Sequence, residues 1–208
     1  MKKTAILVLT LVLVMAASTF ASAANYIGAG LGIVGAGEPK PLAGPYIASF
    51  AADFDAMDKL TLSANGYLEV IVPPAEDPGA TAVSDLKYGY MAGVYAKYAV
   101  LDLNGLAVGP VAGVNYNNNF APKIDPAPEK GELKYGAGVF ATQALGETGT
   151  IYAQAMYWMP KAEDASFTDA IGGLGGINFR LTDKIAVKGQ VEYVNKHTLF
   201  SIGAGYTF

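Results

Sequence analysis

Leu199-Phe200-Ser201-Ile202-Gly203-Ala204-Gly205-Tyr206-Thr207-Phe208 is the stretch on which the reading of this chain turns. Alternate residues, Phe200, Ile202, Ala204, Tyr206 and Phe208, are apolar. Ser201, Gly203, Gly205 and Thr207 between them are small or polar. A period of two marks a β-strand with one greasy and one polar face, because successive side chains leave the pleat on opposite sides. The stretch finishes on an aromatic ring, which a protein surrounded by water has little reason to display.

The same alternation recurs upstream near residues 26–34, 45–55, 59–72, 85–100, 106–116, 133–145, 150–159, 171–182 and 184–195, so ten strands are expected. Each has an apolar face, for example Ile27, Ala29, Leu31 and Ile33 in the first. No charged residue falls on these faces, and Gln143 is their one strongly polar member. The opposite faces carry Asp53, Asp55, Glu69, Lys87, Lys97, Lys134, Arg180, Lys188 and Glu192 among many glycines. Alternation alone fits a soluble sandwich with its apolar faces inward, and it fits equally a membrane barrel with them outward.

Connections and aromatics separate the two. Short turns near 55–58, 101–105, 146–149 and 182–184 alternate with longer segments at 35–44, 73–84, 117–132 and 160–170, which hold nearly all the prolines. The connection at 195–198 is brief and departs from that trend. A barrel with short turns at one rim and long loops at the other has this pattern. On the apolar faces Tyr46, Tyr88, Tyr90, Tyr116, Tyr135, Tyr157, Tyr193 and Phe200 fall at the long-loop ends. Phe54, Tyr98, Phe179, Tyr206 and Phe208 fall at the turn ends, with aliphatic residues between. Two ring belts around an aliphatic band suit a bilayer with polar interfaces. The expected fold is therefore an all-β, antiparallel, up-and-down transmembrane β-barrel. Pro110 inside the fifth strand signals an edge or a bulge, and Gly172, Gly173, Gly175 and Gly176 leave the eighth weakly registered. Ten strands are favoured, with eight left open.

The front of the chain points to export. Lys2 and Lys3 precede an apolar run from Ala5 to Ala17, and Ala21-Ser22-Ala23 offers a small-x-small cleavage site. Residues 1–23 are read as a signal peptide cleaved after about Ala23, and 24–208 as the barrel domain; an uncleaved anchor is the alternative. Without Lys2 and Lys3 the 14 basic residues fall further below the 18 acidic ones, to a net charge of about −6, so no nucleic-acid partner is expected. Cysteine is absent, which excludes a disulfide scaffold and thiol-based metal or redox chemistry. Hydrophobic residues make up 52% of the chain, yet no second apolar run is long enough for a spanning helix.

The tail, with Tyr206 two residues before a terminal Phe208, resembles the last strand of small bacterial outer-membrane β-barrels of the Omp type. That resemblance implies that Tyr206 and Phe208 form an assembly signal read by the barrel-assembly machinery. It also implies passage with periplasmic chaperones, residence in the outer membrane of a Gram-negative cell envelope, and outer-membrane lipids as partners.

Candidate chemistry is sparse. His197 is the only histidine. An enzyme would pair it with a rim carboxylate such as Asp77, Asp164 or Asp169 to hydrolyse lipid or peptide. A solvated turn histidine is the plainer reading, and no catalytic residue is assigned. Glu76, Asp77, Asp85, Glu163, Asp164 and Asp169 make the long loops acidic, but no spaced cation loop is present, so no metal or cofactor is expected. Gly28-x-Gly30-x-Gly32 does not open a helix, which rejects a nucleotide fingerprint. The inward set of five bases against four acids suggests an internal ion-pair network, or the lining of a narrow passive porin-like path. The inward glycines leave room for water. The functional expectation is a structural or narrow-channel membrane barrel; a surface adhesion or ligand-binding barrel with a plugged lumen is the alternative.

Overall fold

The computed structural model describes residues 25–34, 47–71, 87–118, 131–159, 170–194 and 197–208. Nearly all of them are extended. The strands are β1 (Tyr26–Val34), β2 (Ile47–Met57), β3 (Leu60–Ile71), β4 (Lys87–Tyr98), β5 (Leu101–Leu103), β6 (Leu106–Asn118), β7 (Glu132–Leu145), β8 (Gly149–Trp158), β9 (Ile171–Arg180), β10 (Ile185–Val194) and β11 (His197–Thr207). Chain neighbours pair antiparallel except β4 and β5, which lie end to end and both pair with β6, and β1 pairs with β11 to close the ring. The result is a closed barrel of ten strands. Closure leaves no unpaired strand edge, which a sheet surrounded by hydrocarbon cannot tolerate.

The additional piece, β5, continues β4 past a bulge. Lys97 faces Val111 and Leu101 faces Val108, so the β4–β5 side takes one more residue than β6 over the same span. Pro110 sits opposite that irregularity, where its missing N–H costs no regular ladder bond; the Val100 N–H instead reaches the Val108 carbonyl at 3.0 Å. Beyond β5, Asn104 and Gly105 turn the chain with φ of 51° and 81°, the left-handed pair a two-residue hairpin requires. The 101–105 connection expected as a turn is thus largely strand, because a tight Asn-Gly turn extends this hairpin beyond the rim. The brief 195–198 connection is shorter still, since His197 and Thr198 already pair with Val194 and Tyr193.

Side chains sort by wall. Outward-facing Leu31, Val139 and Ile202 are 71%, 60% and 65% exposed. Inward-facing Asn65, Glu69, Asn115, Gln154 and Glu192 are all buried. A sandwich would hide the first set and show the second. One closed sheet has no partner sheet to cover its apolar face, so that face stays exposed, as the outer wall of a membrane-spanning barrel does. Gly66 is the weak point of the outer wall, and the Phe50 ring from the facing position on β2 lies over it. The turn-end belt is in place: Phe208 stacks on Tyr206 with centroids 6.1 Å apart and meets Phe54 at 6.5 Å. At the opposite, far end Tyr90 and Tyr116 pair at 5.8 Å, and Tyr135, Tyr157, Tyr193 and Phe200 face outward. The expected signal peptide, Tyr46 and the acidic long loops lie outside the described residues.

Candidate functional site

The lumen is the one place where the fold gathers polar chemistry, and its two ends differ. Toward the turn end, Asp53 on β2 is held from two sides. Ser63 Oγ donates to its Oδ1 at 2.7 Å, and Lys188 Nζ from β10 donates to Oδ2 at 2.8 Å. The same ammonium lies 5.4 Å from the centre of the Tyr26 ring and 5.0 Å from that of Tyr152, a cation between two π faces. Asp55, one step nearer the rim, accepts from Thr61 Oγ1 at 2.7 Å.

At mid-height a hydrogen-bonded chain crosses the lumen. Tyr152 on β8 donates to Gln190 Oε1 at 3.1 Å, and Gln190 Nε2 donates to the Tyr67 hydroxyl at 2.6 Å. Tyr67 on β3 in turn donates to Glu192 Oε2 at 2.6 Å, and Asn65 Nδ2 donates to the same oxygen at 3.2 Å. Towards the far end, buried Ile47, Tyr67, Met91 and Leu199 pack together on one side. On the other side Tyr95, Ala99, Val111, Phe140, Met156 and Trp158 form a second cluster that runs from Trp158 down to the wall of the turn end, with Tyr95 and Trp158 edge to face at 6.2 Å.

The glycines explain how so many rings fit. A Cβ added at Gly93 or Gly113 would strike Tyr95, one at Gly136 or Gly172 would strike Trp158, and one at Gly205 would strike Tyr26. The expectation that inward glycines leave room for water is therefore corrected over much of the lumen. Here each glycine is the bare wall against which a neighbouring aromatic lies flat, because only a residue without a side chain lets a ring approach the sheet so closely.

Below this layer the turn end is open. A cavity of about 730 Å³ runs from the turns at Asp58–Lys59 and Gly146–Thr148 up to a floor containing Tyr95, Phe140, Tyr152 and Leu174. Lys97, half-buried, lines it. Among the described residues no carboxylate comes within ion-pairing distance of its ammonium.

Of the inward positions named from sequence, Asp53, Asp55, Lys97 and Lys188 line the turn-end cavity and Glu69 and Glu192 are buried, but they do not form one network. Asp53 and Lys188 pair, whereas Glu192 is bonded by uncharged donors and has no base at ion-pairing distance among the described residues. The reason is height. Lys188 and Glu192 are four residues apart on one strand, roughly 13 Å, so a single acid and base row was never available. Lys134 lies far from both, 3.5 Å from Glu132. Glu69 is buried towards the far end, and Arg180 is exposed at the turn-end rim. The side chains of Lys87 and His197 lie outside the described residues. Tyr26, Asn65, Tyr67, Tyr152 and Gln190 do more to knit the lumen than most of the charges. Their signal was present, since they share the inward phase with the charged residues.

An apolar wall facing out, polar side chains buried within, and a ring of strands without an edge admit one environment. The chain folds as a small closed β-barrel with an apolar outer wall, the form of a membrane-spanning barrel. No family profile and no curated protein matches it. Among solved structures the barrel is similar to Ail, the attachment invasion locus protein of Yersinia pestis, at 11% identity and a TM-score of 0.33, covering 89% of this chain and 97% of that one. Neisserial surface protein A aligns at 12% identity and a TM-score of 0.34, over 89% and 98% of the two chains. The translocator domain of the autotransporter NalP from Neisseria meningitidis aligns at 12% and 0.35, over 99% and 96%.

Proposed function

We propose that this barrel resides in the outer membrane of a Gram-negative bacterium as a plugged, non-conducting protein that works through its exposed ends. The observation that carries the reading is the mid-lumen crossing. The Tyr152–Gln190–Tyr67–Glu192 chain joins β8 and β10 to β3 across the ring, and the Tyr95–Trp158 contact joins β4 to β8. A hydrated ion would have to break several of these bonds and displace buried rings. Buried, mutually bonded groups of this kind are rigid rather than yielding. Export across the inner membrane, periplasmic chaperones, insertion by the assembly machinery through Tyr206 and Phe208, and contact with outer-membrane lipids complete the proposal. No reaction is assigned to it.

A narrow porin-like channel is the second reading, favoured by the cavity that already opens half of the lumen. Single-channel recording on residues 24–208 refolded into a planar bilayer separates the two. The plugged reading expects a silent membrane while the same sample shows a heat-modifiable folded band on a gel. Discrete, reproducible current steps would replace it with the channel.

A further inference from the structure

We propose that the turn-end vestibule is a binding site for a small organic monocarboxylate with an apolar body, held by Lys97. The vestibule, about 730 Å³ in volume, is of the size that takes small ligands. It is closed at mid-height by Tyr95, Phe140, Tyr152 and Leu174 beside the amides of Asn65 and Gln190, so a solute entering from the turns meets three rings and a leucine edged by polar groups. The neighbouring acids are already engaged. Asp53 accepts from Lys188 and Ser63, and Asp55 accepts from Thr61. Lys97 is left as a half-buried ammonium facing the cavity with no carboxylate at bonding distance among the described residues.

A partly desolvated ammonium gains most from an anionic acceptor, through a charge-assisted hydrogen bond. The rest of the wall restricts which anion. Around the mouth the exposed acids Asp58, Asp102 and Glu147 outnumber the exposed bases Lys59 and Arg180, so a dianion such as phosphate is favoured less than a monoanion with an apolar body. The aromatic floor rewards an apolar body behind the carboxylate. A single-ring acid meets both conditions.

The protein carries its own reporter, because Trp158 is the only tryptophan and sits against Tyr95, a floor residue. The probe is 4-nitrobenzoate, whose nitroaromatic ring quenches nearby indole emission, added to the refolded barrel in micelles. The expected result is saturable quenching that benzoate reverses. Benzyl alcohol, of the same shape without the charge, and inorganic phosphate should both fail to reverse it. Lys97→Met should weaken the affinity about tenfold, the scale of one charge-assisted bond. Lys184→Met, on an exposed turn that does not line the cavity, should leave it unchanged. Quenching that rises linearly without saturation overturns the proposal. So does reversal by benzyl alcohol as effective as by benzoate, a test that does not depend on any variant folding. This outcome is independent of conductance, so a barrel that conducts current and one that does not are tested alike.

Discussion

The two halves of the lumen are built from the same alternating strands and the same supply of inward glycines, yet one is filled and the other is open. Towards the far end, Trp158, Tyr95, Met91 and Leu199 lie buried against one another and against glycine walls. Towards the turns, Asp53, Lys97 and Lys188 share a cavity with Thr142, Thr150 and Asn178. What separates them is which inward side chains each half holds and whether long apolar ones from different strands reach the same height. Where they do, the lumen is a packed core. Where the inward residues are short or charged, it is a water-accessible vestibule.

This contrast can be broken at the filled half first. Trp158→Ala removes the ring that lies on Gly136 and Gly172 and against Tyr95. It should cost about 3 kcal/mol of unfolding free energy, as large-to-small changes in packed cores do. Denaturant titration of the refolded barrel, followed by the loss of its heat-modifiable gel band, measures it. A cost below about 0.5 kcal/mol, the usual size for a surface site, would mean the far half is no better packed than the vestibule.

A smaller effect is expected from Asp53→Asn, which keeps the shape but removes the charge facing Lys188. The pair is only partly buried and Lys188 retains its two tyrosine rings, so about 1 kcal/mol is expected, declining with added salt. Equal destabilisation at low and high salt would show that the charge is not what matters there. The smallest change should come from Thr150→Val, an inward substitution in the open half. It should fall within about 0.5 kcal/mol of the parent in the same titration. A loss comparable to that of Trp158→Ala would erase the distinction between the halves.

Much of this architecture was legible in the residues. The inward phase of Asp53, Glu69, Lys97, Lys188 and Glu192 follows from period two, and the register agrees with it. The bulge was signalled by Pro110. The pairing of charges was not legible. Five bases and four acids in phase suggested a network, but Glu192 meets Tyr67 and Asn65, and Lys97 meets no acid at bonding distance among the described residues. Phase says which wall a side chain occupies and nothing about its height relative to a strand on the other side. The glycines were misread for the same reason. Gly172 looks like empty space in sequence, and only the position of Trp158 on the adjoining strand shows that a ring occupies it.

By itself, then, the sequence determined that this chain forms amphipathic strands, ten rather than eight being favoured, which residues face outward, and which end carries the short turns. Each of these depends on neighbours along the chain, and alternation is a local property. Only the tertiary structure decided that long side chains pack the far half, that Asp53 and not Glu192 pairs with Lys188, and that Lys97 faces an open cavity. These depend on how far each strand is staggered as the sheet closes on itself, and that stagger is a property of the whole ring.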